Sequence, residues 1–197
     1  MATSSFKTLT THRPKTQVYL QQPDTLRPVT VHSPALDVMT DFTRMASVSI
    51  APDASLFSAN ETMIARGVRL LLVVADDQSL LGIVSTRDTL GERPMQLLQQ
   101  GKGNLFDLTV ADLMHPVGQI DLLDFNDVHH ANVGELVATL KSLGQQHVLV
   151  SAAHPASGQR RVRGVFSATQ IGRQLGVEIQ TFEVARSFAE IEAALAG

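Results

Sequence analysis

Gly82-Ile83-Val84-Ser85-Thr86-Arg87-Asp88 is the most informative stretch of this chain, because its first half returns later as Gly164-Val165-Phe166-Ser167. An apolar run precedes each copy, and a helical pattern that stops at a glycine, Gly67 or Gly144, precedes each run. The chain is therefore predicted to be an internal duplication, whose related halves form a pseudo-two-fold module with sites between them.

The first copy predicts a strand, a helix and two further strands. Residues 48–50 alternate as a half-buried strand, and Asp53 is the expected N-cap of a helix that ends at Gly67. Residues 70–75 form a continuous apolar run, and a polar turn separates them from a strand at residues 80–84.

The second copy repeats this plan. Residues 120–123 are a predicted strand, and Asn132 with Glu135 forms a capping box for the next helix. Strands are expected at residues 147–151 and 162–166, with a longer turn between them than in the first copy.

The segments outside the two copies are less regular. Residues 1–34 are predicted to be an extended or disordered tail, in which Val29-Thr30-Val31 could dock on a neighbouring surface. Residues 177–184 suggest a strand, and Ser187 with Glu190 predicts a capping box for a final helix. The predicted boundaries are the tail at 1–34, a first repeat with its following helix at 35–100, a linker at 101–109, a second repeat at 110–176 and a C-terminal strand and helix at 177–197.

Composition excludes several classes of function. The chain has 197 residues, a net charge of −3 and no long basic run, which argues against nucleic acid as a partner. It contains no cysteine, so disulfides, thiolate metal sites and cysteine nucleophiles are excluded. No membrane-spanning stretch or signal peptide is predicted, and the expected location is the cytoplasm.

The order of these motifs resembles a tandem pair of cystathionine-β-synthase (CBS) domains, as found in stand-alone CBS-domain proteins. Asp37-Val38-Met39, Gly67-Val68-Arg69 and the stretch from Gly82 to Asp88 carry the resemblance in the first copy, and Asp112-Leu113-Met114 and Gly164-Val165-Phe166-Ser167 carry it in the second. The resemblance implies an α+β fold in which two pseudo-two-fold-related repeats, each a small mixed sheet with helices on one face, pack through their sheets.

The resemblance also implies a site for an adenosine-containing ligand. In nucleotide-binding members the acidic residue that closes the Gly-x-x-Ser/Thr-x-x-Asp signature contacts the ribose hydroxyls, and the matching residue is Asp88. A carboxylate can accept hydrogen bonds from two vicinal hydroxyls, whereas a guanidinium group suits phosphate oxygens. The implied ribose and adenosine contacts are Gly82, Ser85, Thr86, Asp88, Ile120 and Leu122, and the implied phosphate contacts are Arg69, Arg87 and His147.

Structural alternatives exist for these assignments, and the two copies differ. Asp88 could simply cap the following helix, while Arg69 and Arg87 could be solvated surface charges. In the second copy Gln170 stands where Asp88 stands in the first, so at most one fully competent nucleotide site is expected. The second, weaker cleft would be lined by Thr40, Val48, Ser167 and Gln170.

Three functions remain open at this point. The favoured one is a non-catalytic sensor that binds AMP, ADP, ATP or another adenosyl ligand, requires no cofactor and relays a conformational change to an unknown regulated protein. The alternative is a ligand-independent dimerisation or interaction module with degenerate clefts. An enzyme is not expected, because the sequence has no recognisable catalytic constellation. A homodimer is expected in either of the first two cases.

Overall fold

The computed structural model describes residues 9–19 and 27–181, which contain eight strands and seven α-helices. The strands are β1 Thr40–Asp41, β2 Ser49–Ile50, β3 Leu70–Val74, β4 Leu80–Ser85, β5 His115–Pro116, β6 Leu122–Asp124, β7 His147–Ala153 and β8 Arg160–Ser167. The helices are α1 Leu56–Arg66, α2 Thr86–Leu90, α3 Arg93–Gln99, α4 Val110–Leu113, α5 Phe125–His130, α6 Val133–Leu143 and α7 Ala168–Leu175. Short 3₁₀ helices cover Ala35–Val38, Leu105–Asp107 and Val117–Gln119.

The strands form two four-stranded mixed sheets of equivalent order, β2-β3-β4-β5 and β6-β7-β8-β1. In each sheet the first pair is parallel and the other two pairs are antiparallel. We call the first sheet with its helices lobe 1 and the second sheet with its helices lobe 2. The duplication inferred from the sequence is therefore confirmed as two lobes of the same topology.

Each lobe takes one edge strand from the other copy of the repeat. Strand β5 follows the opening motif of the second copy, yet it pairs with β4 in lobe 1. Strand β1 follows the opening motif of the first copy, yet it pairs with β8 in lobe 2. The sequence repeats and the structural lobes consequently have different boundaries.

Two glycines permit this exchange because the incoming strands pass very close to them. A Cβ on Gly82 would lie 2.3 Å from the backbone oxygen of His115, and a Cβ on Gly164 would lie 2.6 Å from the backbone oxygen of Thr40. Neither distance is compatible with a side chain. The glycine that begins each Gly-apolar-apolar-Ser motif is thus required by the exchanged strand that crosses it.

The hydrophobic cores follow the exchange. Ala35 and Val38, from the opening of the first copy, are buried in the core of lobe 2 beside Phe166. Val110, from the opening of the second copy, is buried in the core of lobe 1 beside Met63. Burial of these apolar side chains fastens each opening segment to the opposite lobe.

The central strands are buried on both faces. In β3, Leu71 and Val73 point to the helices of lobe 1, while Leu72 on the opposite face is only 7% exposed. In β7, Leu149 is likewise buried on the face opposite Val148. The two lobes pack through these sheet faces, as the resemblance implied.

Local signals account for most helix ends, with one correction. Gly67 ends α1 and Gly144 ends α6, both in the left-handed conformation, and the predicted capping box of Asn132 is present. The prediction that Asp53 caps α1 was wrong. Ser55 is the N-cap, and its side chain accepts a hydrogen bond from the backbone N–H of Ser58.

The last described segment also differs from its prediction. Residues 177–181 do not form a strand, although Ile179 and Thr181 are buried against lobe 2. The remainder of the predicted strand and the capping box of Ser187 and Glu190 lie outside the described residues.

The end of the N-terminal segment is fastened to lobe 2. The backbone N–H of Val29 donates to the carbonyl of Gln174 in α7, over 3.1 Å. The backbone N–H of Gly134 in α6 donates to the carbonyl of Val31, over 2.8 Å. These bonds agree with the expectation that residues 29–31 dock on a neighbouring surface.

Candidate functional site

Asp88 lies at the junction of β4 and α2, where it forms a capping box with Ser85. Its Oδ2 accepts hydrogen bonds from the backbone N–H of Ser85 at 2.8 Å and from the Ser85 hydroxyl at 2.6 Å. A serine at the N-cap with an acidic residue three positions later is the local pattern that produces this turn. The carboxylate is thereby fixed in place, and the residue is only 8% exposed.

The other carboxylate oxygen of Asp88 is contacted by side chains from more distant elements. Nε2 of His115, in β5, lies 2.9 Å from Oδ1, and Nη1 of Arg93, in α3, lies 4.0 Å from it. Burial raises the pKa of Asp88, but the hydrogen bonds from His115 and Ser85 outweigh burial and leave the pKa below its usual range. Since an ionised carboxylate only accepts hydrogen bonds, Nε2 of His115 carries the proton that it donates.

His147 and Arg69 approach this site from the starts of two central strands. Burial, and to a lesser extent the charge of Arg69, lower the pKa of His147 to about 4, while the charge of Asp88 acts in the opposite direction. Arg69 is held by its backbone, because its carbonyl accepts a hydrogen bond from the N–H of Thr86 at 3.1 Å. Three predicted site residues, Asp88, Arg69 and His147, are therefore close enough to interact electrostatically.

The shifted pKa of His147 predicts a specific loss of stability in acid. The unfolded chain takes up this proton near pH 6.5, whereas the folded chain resists it until about pH 4. The free energy of unfolding is therefore not reduced by His147 above pH 6.5. As the pH drops toward 4, the proton taken up by the unfolded chain lowers this free energy by about 3 kcal/mol in total. Urea unfolding between pH 7.5 and 4.5 should show that His147→Gln flattens this part of the profile.

The matched control for that experiment is His12→Gln, which changes an exposed histidine in the N-terminal segment. It should leave the acid profile as in the wild type. An unchanged profile in His147→Gln would show that the acid sensitivity arises elsewhere.

The equivalent position in lobe 2 is occupied by an uncharged pair. The hydroxyl of Thr40, in β1, donates to Oε1 of Gln170, in α7, over 3.2 Å. Thr40 and Gln170 occupy the places that His115 and Asp88 occupy in lobe 1. The side chain of Ser167 makes no capping bond here, and Val48 packs against the core of lobe 1.

The remaining predicted contacts are more dispersed. Ile120 is partly buried after the 3₁₀ turn, and Leu122, at the start of β6, is 40% exposed. Arg87 lies beside Asp88 in the first turn of α2.

Two residues that contact Asp88, His115 and Arg93, were not predicted from the sequence. A signal for His115 was present, because it follows Met114 as Thr40 follows Met39, and Thr40 was assigned to the second cleft. Applying the duplication to that assignment points directly to His115. Arg93 lies beyond the repeated motifs and carries no such signal.

A cavity of about 540 Å³ lies between Arg69 and lobe 2. Thr169 and Arg173 of α7 line it, together with Gln146 and Glu178. Arg69 and Arg173 give it two guanidinium groups against the single carboxylate of Glu178. Asp88 does not line this cavity, so the cavity and the Asp88 turn do not form one enclosed pocket. Arg69 lies next to both, because it lines the cavity and its carbonyl accepts a hydrogen bond from the N–H of Thr86.

The CBS-domain family model matches residues 35–93, which include the whole first motif through Asp88. Residues 35–93 therefore resemble a CBS domain in sequence. A search of curated proteins found no significant relative. None of the helices in the described ranges has the length and apolar character needed to cross a membrane.

Solved structures extend the likeness in fold to both lobes. An uncharacterised conserved protein from Pyrococcus horikoshii is 17% identical with a TM-score of 0.53, covering 74% of this chain and 93% of that chain. CBSX2, a CBS-pair protein from Arabidopsis thaliana solved in complex with AMP, is 22% identical with a TM-score of 0.51, covering 72% and 94%. The CBS domain pair of protein MJ0100, in complex with 5′-methylthioadenosine and S-adenosyl-L-methionine, is 17% identical with a TM-score of 0.50, covering 76% and 98%. The fold is that of a CBS-domain pair.

Proposed function

We propose that this CBS-domain pair is a non-catalytic regulatory module that binds an adenosine-containing ligand, such as AMP, ADP or ATP, beside Asp88. The observation that carries the proposal is the geometry of the Asp88 carboxylate. It is ionised, nearly buried, fixed by its own turn and contacted by His115 and Arg93 from two other elements. Such a carboxylate is suited to accept hydrogen bonds from the two hydroxyls of a ribose.

Basic groups near Asp88 suit the phosphate of such a ligand. Arg69 lines the cavity between the lobes and is close enough to His147 to lower the pKa of that histidine. A phosphate placed between these two side chains would reverse this effect, because a negative charge favours the protonated imidazole. Binding of a phosphorylated ligand is therefore expected to draw a proton onto His147.

Two relatives with the same fold support the ligand class. CBSX2 was solved with AMP, and the MJ0100 domain pair was solved with 5′-methylthioadenosine and S-adenosyl-L-methionine. All three compounds contain adenosine, and they differ in what is attached to the ribose. The adenosine portion is therefore the part of the ligand that we assign to this chain.

Regulation requires that the ligand favours one arrangement of the lobes over another. Strands β1 and β5 each join one copy of the repeat to the sheet of the other copy. A structural change at Asp88 is therefore expected to affect both copies. We propose that the module acts as a homodimer in the cytoplasm and relays this conformational change to a separate regulated protein. Neither a cofactor nor a nucleic acid is needed for this role.

Asp88→Asn is expected to weaken binding of AMP by about 10- to 100-fold, because it removes the charge from the acceptor of the ribose hydroxyls. A thermal-shift screen with AMP, ADP, ATP, NAD, S-adenosylmethionine and cyclic dinucleotides would identify the ligand first. A ligand that binds only the folded protein raises its melting temperature. Calorimetry would then give the affinities of the wild type and the variant.

Asp112→Asn is a matched control, because Asp112 forms the same capping box with Thr109 at the start of α4. It should cost similar stability and leave the affinity unchanged. Full affinity in Asp88→Asn would move the ribose contact elsewhere. If none of the compounds raises the melting temperature, the ligand-independent dimerisation module is favoured instead.

A further inference from the structure

The two oxygens of the Asp88 carboxylate are held in different ways. Oδ2 is bound by the backbone and hydroxyl of Ser85, within the same turn. Oδ1 is bound by His115 at 2.9 Å, with Arg93 at 4.0 Å, and both of these side chains come from other elements. Oδ1 is therefore the oxygen whose partners can leave without breaking the turn.

The backbone of His115 is fixed while its side chain is accessible. His115 pairs with Ile83 in the sheet, and its carbonyl packs closely over Gly82. The His115 side chain is nevertheless 46% exposed, compared with 10% for the side chain of Asp88. The imidazole can thus rotate into solvent while β5 remains in place.

The duplication supplies a second, independent instance of this arrangement. Thr40 stands at the position of His115 in the exchanged strand of lobe 2, and it contacts Gln170, which stands at the position of Asp88. In both lobes, therefore, the residue that follows the methionine of the opening motif contacts the helix residue at the ribose-binding position. These pairs are His115 with Asp88 in lobe 1 and Thr40 with Gln170 in lobe 2. Only in lobe 1 does the pair contain a carboxylate, that of Asp88.

We propose that His115 is a built-in competitor for the ligand at Asp88, whose imidazole must leave Oδ1 before the vicinal hydroxyls of a ribose can bind there. This inference rests on the proposed function and adds a regulatory contact to the same site. The two hydroxyls of a ribose need acceptor positions on the carboxylate, and His115 occupies the one at Oδ1. Binding consequently exchanges a bond between the two copies of the repeat for a bond to the ligand.

The competition has a consequence for the relay. His115 belongs to the second copy, whereas Asp88 belongs to the first. When the ligand displaces the imidazole, the side-chain link between the end of β5 and α2 is lost, although the backbone pairing of β5 with β4 remains. The released imidazole is then presented to solvent at the edge of lobe 1.

The test compares AMP affinity in the wild type, His115→Ala and the control His12→Ala, which alters an exposed histidine of the N-terminal segment. Removing the competitor should tighten AMP binding by about three- to tenfold, the expected range for losing one partly exposed, charge-assisted hydrogen bond. The control should match the wild type. The ring signals of His115, followed by NMR at constant pH, should also move on addition of AMP toward their positions in Asp88→Asn measured without ligand.

The possible failures are distinguishable. If AMP binds the wild type and Asp88→Asn weakens binding as expected, but His115→Ala binds AMP equally or more weakly than the wild type, the competition is refuted and the proposed function stands. If no adenosine compound binds either the wild type or His115→Ala, the proposed function fails, and this inference falls with it. Ring signals that do not move when AMP saturates the protein would also overturn the competition.

Discussion

Phe166→Ala is expected to lower the free energy of unfolding by about 3–5 kcal/mol, the usual cost of removing a buried aromatic ring and leaving a cavity. Phe166 is completely buried in β8, and it packs in the core of lobe 2 with Leu140 and Ile171. The same core contains Ala35 and Val38 from the opening of the first copy. The loss should therefore loosen the exchanged segment as well as the helices.

Urea unfolding of the wild type and the variant would measure this effect. Phe106→Ala is the matched control, because Phe106 is 91% exposed and its truncation should change stability by about 0.5 kcal/mol or less. Equal stability losses in the two variants would mean that Phe166 does not pack as described.

Gly82→Ala should cost about 2–3 kcal/mol, because the new methyl group would lie 2.3 Å from the carbonyl oxygen of His115. The neighbour is backbone, so it cannot move aside by rotating a side chain. Strand β5 must shift away from β4, which also displaces His115 from Asp88. We therefore expect lower stability together with faster hydrogen exchange along β4 and β5.

Gly118→Ala serves as the control for Gly82→Ala. Gly118 lies in the 3₁₀ turn directly after β5, and a Cβ at this position would meet no atom within 4 Å. Its stability should remain close to that of the wild type. A Gly82→Ala protein as stable as Gly118→Ala would contradict the close crossing of β5 over β4.

The features that the sequence predicted correctly are encoded locally. The stops at Gly67 and Gly144 depend on the conformational freedom of single glycines, and the capping box of Asn132 and Glu135 depends on two residues three positions apart. Local competition also explains the one wrong cap. Asp53 and Ser55 are both favourable N-cap residues. Because α1 begins at Leu56, the residue directly before it, Ser55, is the N-cap.

The exchange of β1 and β5 could not be derived from local pattern. Both strands have only two residues, which is too short for a periodic signal, and their partners β8 and β4 are far away in sequence. The repeated Gly82 and Gly164 were visible, but the reason for a glycine at each position is the backbone that crosses it. The contact between His115 and Asp88 depends on that crossing, and its only signal in the sequence is the match of Met114-His115 with Met39-Thr40.

The candidate site was predictable in its centre and less so at its margins. Asp88 and Ser85 belong to one motif, and the structure joins them in one capping box. That bond also explains why a purely structural role for Asp88 was a reasonable alternative. Arg69 and His147 belong to different lobes, so their approach to each other depends on how the lobes pack and not on a local motif.

The short exchanged strands have a consequence for how this protein behaves at high concentration. The outermost strands of both sheets, β1, β2, β5 and β6, contain only two or three residues each, whereas the inner strands contain five to eight. A sheet margin this brief offers few free backbone groups to a strand of another molecule. The arrangement that ties the two copies together thereby also protects the chain against intermolecular β-pairing and aggregation.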